Sequence, residues 1–120
     1  MDAHKDWIEI TRTLAAAMGA VRRGVPDVTK AFSALATAAT APGALDARTK
    51  ELMAVAISIA VRCDGCVGFH VKAALAQGAT RQEILEVVAL AIYMGGGPSF
   101  IYGAQALEAC DQFQAAAAAR

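Results

Sequence analysis

Two cysteines and a histidine lie close together in this sequence, at spacings that suit thiol chemistry. Cys63 and Cys66 are three residues apart, and His70 follows four residues after Cys66. On a helix, all three side chains would project from one face within reach of one another. Free N–H groups and the helix dipole at a helix start stabilise a cysteine thiolate and lower its pKa. The spacing therefore predicts a reactive dithiol with a base beside it.

A proton relay can be drawn around this dithiol. His70 could accept a thiol proton, and a carboxylate such as Glu51 could orient the imidazole and make it a better base. Two cysteines at this spacing can also close a disulfide, so that a sulfenic acid formed on one is captured by the other before further oxidation. These residue types predict a peroxide-reducing redox enzyme that needs no bound cofactor.

Zinc is the main alternative for the same residues. Two thiolates and an imidazole are three of the four ligands of tetrahedral zinc, and Glu51 or Cys110 would have to supply the fourth. Structural zinc sites usually have two ligand pairs separated by a loop, and this sequence has no second pair of that kind. We therefore expect no metal, and we expect Cys110 to be a small packing residue. A zinc-binding or redox-sensing helical module without peroxidase turnover remains the second hypothesis.

Length and composition indicate one domain that associates with copies of itself. The 120 residues fit a single domain over 1–120, and 57% of them are hydrophobic, against roughly 45–50% in ordinary soluble domains. A domain of this size buries only about two-thirds of the surface that its unfolded chain exposes. The excess of hydrophobic residues therefore predicts a homo-oligomer in which apolar surface is buried between subunits.

Charge and apolar run length exclude two classes of partner. Eleven basic and eleven acidic residues give a net charge of zero without a basic cluster, so we expect no nucleic-acid partner. The longest apolar run, Leu52 to Val61, is about ten residues, whereas a membrane-spanning helix needs about 20. The first residues mix both charge signs without an apolar stretch behind them, so we expect no membrane association, no secretory signal and a cytoplasmic location.

Helix-forming residues dominate the chain, and no strand-length stretch alternates apolar and polar residues. We therefore expect an all-α fold, a bundle of about six helices. Pro26 suits a first helical turn, Asp46 can cap a helix, Thr80 to Glu83 is a capping box, and Gly78 supplies a left-handed stop. The predicted helices span about 4–21, 26–39, from the Asp46 cap through Ile59, 63–77, from Thr80 through Ile92, and 98–113.

Apolar patterns predict which helix faces are buried. The first helix carries an apolar stripe that is expected to face the core, and the third is apolar nearly all round and should be central. Aromatic residues near the last helix are expected in the core or at a subunit interface. The stripe consists of Ile8, Leu14, Ala15, Met18 and Val21, and the aromatic residues are Tyr93, Phe100 and Tyr102.

The motifs taken together resemble those of a known family. Glu51, the Cys63-x-x-Cys66-x-x-x-His70 unit, the stretch 83–87 and Met94-Gly-Gly-Gly-Pro98 resemble the AhpD-like (alkylhydroperoxidase) branch of the carboxymuconolactone decarboxylase superfamily. The resemblance covers roughly residues 45–109. It implies an all-helical, homo-oligomeric (trimeric or hexameric) antioxidant protein that reduces a hydroperoxide substrate and is regenerated by an external dithiol, in the best-known type a dihydrolipoyl (lipoyl-type) protein reductant.

The resemblance also implies a role for each candidate residue. Cys66 would be the thiol that attacks the peroxide, Cys63 the resolving thiol, and Glu51 with His70 the proton relay. In other helix-start C-x-x-C sites the first cysteine is often the nucleophile, but the position of His70 favours Cys66. The best-known members carry a second histidine immediately before the second cysteine, and this chain has Gly65 there.

Overall fold

The computed structural model describes residues 3–120, which form six α-helices and no β-strand. The prediction of an all-α bundle of about six helices is confirmed. The helices are α1 (Trp7–Gly24), α2 (Pro26–Thr40), α3 (Ala47–Val61), α4 (Asp64–Ala76), α5 (Arg81–Gly95) and α6 (Gly97–Ala118).

The helix boundaries are set largely by the local signals predicted from the sequence. Pro26 lies in the first turn of α2, and the Asp46 side chain accepts a hydrogen bond from the Thr49 N–H at the start of α3. Both hydrogen bonds of the Thr80–Glu83 capping box are formed. Gly78 follows α4 with a φ of +91°, which favours glycine because it has no Cβ to clash. The last helix runs to Ala118, five residues beyond the predicted end.

The predicted start of the first helix near His4 is wrong by three residues. Asp6 has an extended backbone, and its side chain accepts a hydrogen bond from the Glu9 N–H, so the helix begins at Trp7. Residues 4 and 5 are held instead by Glu108 of α6, which accepts hydrogen bonds from both of their backbone N–H groups, at 2.6 and 3.0 Å. A tertiary contact has replaced the expected helical turn.

The core lies among α3, α4, α5 and α6, and α1 packs across α4 and α6. Trp7 of α1 is fully buried within it. The α5–α6 contact is close at Gly103, where a Cβ would overlap the side chain of Val88. The remaining large, fully buried side chains are Val55 and Ile59 of α3, Val67 and Val71 of α4, Ile84 of α5 and Cys110 of α6.

Much of the apolar surface expected in the core is exposed in the single chain. The predicted core stripe of α1 is wrong, because Trp7 and Thr11 are its buried residues, whereas Leu14, Met18 and Val21 are 37–54% exposed. Helix α2 has no buried residue. One face of α3 is buried as expected, but Ile57 on another is 60% exposed. Two of the three aromatic residues, Tyr93 and Phe100, are exposed, so a core position is wrong for them.

Candidate functional site

The dithiol lies where α4 begins. Arg62 ends α3 in the left-handed conformation, with φ 56° and ψ 49°, which an L-residue adopts at some energetic cost. This turn places Cys63 at the N-cap of α4, where its sulfur accepts a hydrogen bond from the Cys66 N–H at 3.2 Å. Cys66 is the third residue of α4 and therefore lies in the first turn, whose backbone N–H groups have no partner within the helix. The predicted placement of the dithiol at a helix start is confirmed.

Cys63 and Cys66 are paired as a disulfide. Their Cα atoms are 5.2 Å apart, within the usual range of disulfides. Both residues are only partly buried. The structure therefore holds the pair in its oxidised state at the start of α4.

Glu51 and His70 meet across the contact between α3 and α4. His70 Nδ1 is 2.8 Å from Glu51 Oε2, and the Glu51 side chain is only 13% exposed. When Nδ1 carries a proton and donates to the carboxylate, Nε2 is left to accept or release a proton. His70 lies one helical turn after Cys66 on α4, so its side chain leaves the same face as the Cys66 sulfur. The structure therefore brings the four candidate residues to the α3–α4 contact.

Gly65 is enclosed by a neighbouring helix. A Cβ at this position would lie 2.9 Å from Leu14 Cδ1 of α1, closer than real Cβ atoms approach. A histidine here, as in the best-known members of the AhpD-like branch, would require the Leu14 side chain to move. Because that methyl group is the end of a flexible side chain that is 37% exposed, the space at Gly65 does not by itself account for the missing histidine.

A polar network around Asp64 was not anticipated from the sequence. Asp64, between the two cysteines, accepts hydrogen bonds from Lys5 Nζ at 2.6 Å and from the Tyr102 hydroxyl at 3.0 Å. The Lys5 hydrogen bond is the main cause that lowers the pKa of Asp64; partial burial opposes it, and the Tyr102 hydroxyl lowers the pKa further. The sequence signal for this network is the acidic residue between the two cysteines. Its partners Lys5 and Tyr102 are far from it in the chain, so the sequence does not indicate that they meet.

The expected structural role of the third cysteine is supported. Cys110 on α6 is fully buried in the core, and burial is the main cause that raises the pKa of its thiol. Among residues 3–120, no group of three or more His, Cys, Asp and Glu side chains is arranged to hold a metal ion.

A groove of about 780 Å³ lies between α1, α4 and the end of α6. Its lining includes Phe69 and Lys72 of α4. None of the four candidate residues lines it. Within residues 3–120, no helix has both the length and the apolar character that crossing a bilayer requires.

Comparison with known proteins identifies the family. The sequence profile of the Carboxymuconolactone decarboxylase family matches residues 26–109. This range runs from α2 into α6 and contains all four candidate residues. The chain belongs to the carboxymuconolactone decarboxylase family. The resemblance drawn from the motifs is thus confirmed at the level of the family, which includes both decarboxylases and AhpD-type peroxidases.

Two bacterial relatives of this carboxymuconolactone decarboxylase family protein match along most of their length. An uncharacterized protein of Cupriavidus necator is 43% identical, over 81% of this chain and 86% of the relative. An uncharacterized protein of Paracoccus denitrificans, from its cox locus, is 37% identical, over 85% of this chain and 92% of the relative. Neither name states an activity.

Two solved structures share the fold of this family protein. A carboxymuconolactone decarboxylase family protein of Legionella pneumophila is 46% identical and covers 89% of this chain and 96% of its own, with a TM-score of 0.87. A family protein of Thermotoga maritima is 32% identical and covers 77% of this chain and 95% of its own, with a TM-score of 0.71. The Thermotoga protein is described with a suggested part in the antioxidative response.

Proposed function

We propose that this chain is an AhpD-like thiol peroxidase and disulfide oxidoreductase that reduces hydroperoxides. The observation that carries the proposal is the Glu51–His70 contact of 2.8 Å, one helical turn from a cysteine pair at a helix start. A nucleophile beside a base that is oriented by a carboxylate is a common arrangement for activating a thiol. The suggested antioxidative role of the Thermotoga relative agrees with it.

The first step oxidises Cys66. His70 takes the thiol proton, and the thiolate attacks the terminal oxygen of the hydroperoxide, so that an S–O bond forms and the O–O bond breaks. The leaving alkoxide takes the proton back from His70 and departs as an alcohol. Glu51 stabilises the positively charged imidazole between these two transfers. Cys66 is then a sulfenic acid, and the peroxide has been reduced by two electrons.

The second step closes the disulfide and the third reopens it. The Cys63 thiol gives up its proton and its sulfur attacks the Cys66 sulfenic sulfur; an S–S bond forms, the S–O bond breaks, and the hydroxyl leaves with that proton as water. An external dithiol, such as a lipoyl-type protein, then donates two electrons and two protons to the disulfide and becomes a disulfide itself. We place the protein in the cytoplasm, where thiol reductants are maintained.

We also propose that the 120-residue chain is one domain and acts as a homo-oligomer, a trimer or a hexamer. The support is the exposed apolar surface: α2 has no buried residue, and its Phe32 and Leu35 are 68% and 62% exposed. Large exposed apolar patches usually mark association surfaces. Light scattering coupled to size exclusion tests this; a monomer at micromolar concentration would contradict it.

Stopped-flow kinetics test the proposed activity. The pre-reduced protein is mixed with hydrogen peroxide and with tert-butyl hydroperoxide, and the Cys63–Cys66 linkage is mapped by mass spectrometry after one turnover. We expect rapid disulfide formation, lost in Cys66→Ser and retained in the matched variant Cys110→Ala. Unchanged peroxide consumption by Cys66→Ser would reject the mechanism.

The same sample separates the proposal from its alternative. Elemental analysis of protein purified without chelator measures bound zinc, and thiol titration counts the reactive cysteines. One zinc per chain, with oxidation no faster than that of free cysteine, would favour the zinc-binding or redox-sensing module. Fast disulfide formation without peroxide turnover would instead favour a general disulfide reductase.

A further inference from the structure

Lys5 reaches the redox motif from the opposite end of the sequence. Its ammonium group is 2.6 Å from Asp64 Oδ2, although the two residues are 59 positions apart. The same ammonium donates to Gln105 Oε1 at 2.6 Å and lies 5.5 Å from the centre of the Tyr102 ring. Lys5 is one-quarter exposed and Asp64 about one-third exposed, so water screens the pair only in part.

The segment that carries Lys5 is fixed to α6. Gln112 accepts a hydrogen bond from the Trp7 N–H and donates one to the Lys5 carbonyl, both at 2.7 Å. Glu108 accepts from the Lys5 N–H and from the indole N–H of the buried Trp7. The backbone on both sides of Lys5 is therefore held in place, and its ammonium is positioned at Asp64 by more than the ion pair alone.

The charge of Asp64 acts against the dithiol. Asp64 is the first residue of α4, directly after Cys63 and two residues before Cys66, where a carboxylate is stabilised by the helix dipole. An unneutralised negative charge there disfavours a thiolate on either cysteine, because like charges repel. Since the reduced form carries the thiolate, such a charge also favours the disulfide over the dithiol.

We propose that Lys5 is a positioning residue that tunes the dithiol through Asp64. By neutralising the Asp64 carboxylate, Lys5 stabilises the thiolate in the reduced protein and makes the disulfide easier to reduce. The step concerned is the transfer of two electrons and two protons from an external dithiol to the Cys63–Cys66 disulfide. This inference rests on the proposed redox use of the cysteine pair, but not on reaction with peroxide.

A double-mutant cycle tests the proposal at equilibrium. Wild type, Lys5→Met, Asp64→Asn and the double variant are equilibrated in dithiothreitol buffers of graded redox ratio. Free thiols are then trapped by alkylation, and the oxidised and reduced fractions are measured by mass spectrometry. Lys5→Met should shift the equilibrium toward the disulfide and Asp64→Asn toward the dithiol, each by about two- to fivefold, as expected for a partly screened charge. The double variant should lie close to wild type.

Opposite signs distinguish tuning from a general loss of structure. A structural role alone would move both single variants in the same direction or leave the equilibrium unchanged, and either result overturns the proposal. Lys5→Arg keeps the charge and should stay close to wild type. If Lys5→Met does not fold, Lys5→Gln, which removes the charge but keeps a hydrogen-bond donor, replaces it in both the single and the double variant, and the same opposite shifts are required.

The measurement separates this inference from the proposed peroxidase. No peroxide enters the redox equilibrium, so opposite shifts in a protein that fails to consume peroxide would support the role of Lys5 and reject the peroxidase. Peroxidase activity in the wild type, without opposite shifts in the two single variants, would support the peroxidase and reject the role of Lys5. A wild-type protein that forms no reversible disulfide in dithiothreitol buffers would overturn the role of Lys5 as well.

Discussion

His70 Nδ1 and Glu51 Oε2 are 2.8 Å apart, across the contact between α3 and α4. The carboxylate is largely buried and the imidazole is 38% exposed, so Glu51 anchors the ring at Nδ1 and leaves Nε2 outside that contact. This pairing fixes which ring nitrogen can exchange a proton with a thiol.

Glu51→Gln should slow the oxidation of the reduced dithiol. The amide can still contact His70, but it no longer stabilises a positively charged imidazole, so proton transfer in the first step loses its driving force. We expect the rate constant for disulfide formation with hydrogen peroxide to fall by about tenfold or more at neutral pH. Stopped-flow fluorescence of the pre-reduced variant measures it.

Glu86→Gln is the matched control for this substitution. Glu86 is an exposed residue of α5 whose carboxylate accepts a hydrogen bond from the Gln82 side chain at 3.3 Å. Its replacement should leave the oxidation rate within about twofold of wild type, since exposed charges of this kind contribute little. Equal slowing in both variants, or none in Glu51→Gln, would argue against the proton relay.

Cys110 should be slow to react with thiol reagents in the native protein. Its raised pKa, caused mainly by burial, leaves little thiolate, and its side chain is fully buried in the core. In reduced protein treated with iodoacetamide at pH 8, we expect Cys110 to be alkylated more than about tenfold more slowly than the Cys63 and Cys66 thiols. A mass-spectrometric time course follows each cysteine, and guanidinium should abolish the difference. Equal labelling under native conditions would contradict the burial of this thiol.

Gly68→Ala should destabilise the fold. A Cβ there would lie 2.8 Å from Thr11 Cγ2 and 3.3 Å from the Trp7 ring, so α1 and α4 would have to separate slightly. Forced overpacking of this kind costs about 1–3 kcal/mol in the free energy of unfolding, which urea denaturation measures. In the control variant Gly24→Ala, the new Cβ meets nothing within 4 Å, and stability should stay equal or rise by up to about 1 kcal/mol. If Gly24→Ala lowered the free energy of unfolding more than Gly68→Ala did, this account of the α1–α4 contact would be refuted.

The Asp64–Lys5 pair should make stability depend on pH in the acidic range. The folded-state pKa of Asp64 lies below the ordinary value of 3.8, so its contribution is fully present above pH 3.8 and is lost as the pH falls through the folded pKa. At neutral pH, Asp64→Asn should be less stable than wild type by at most about 1 kcal/mol, because the pair is partly exposed. This difference should shrink toward zero below pH 3.8, as denaturation series at several pH values would record. A stability difference between the variant and wild type that grows as the pH falls would contradict this prediction.

Features that depend on neighbouring residues could be predicted from the sequence. The caps at Asp46 and Thr80 and the turn at Gly78 act within one helical turn, so their signals are contained in a few residues. The placement of Cys63 and Cys66 at a helix start follows from the same short-range rules. The predicted start of the first helix is three residues too early because Glu108 holds residues 4 and 5 outside the helix, and Glu108 lies about a hundred residues away in the chain.

By itself, the sequence determined the all-helical fold, the family and the cysteine pair at the start of a helix, because these follow from helix periodicity, caps and a short motif. Only the tertiary structure decided which distant side chains meet there. Glu51 faces His70 because α3 packs against α4, and Lys5 reaches Asp64 because the segment before α1 is held against α6. The first pair is separated by 19 positions in the sequence and the second by 59. Contacts over such separations depend on how whole helices pack, and no local sequence pattern encodes that packing.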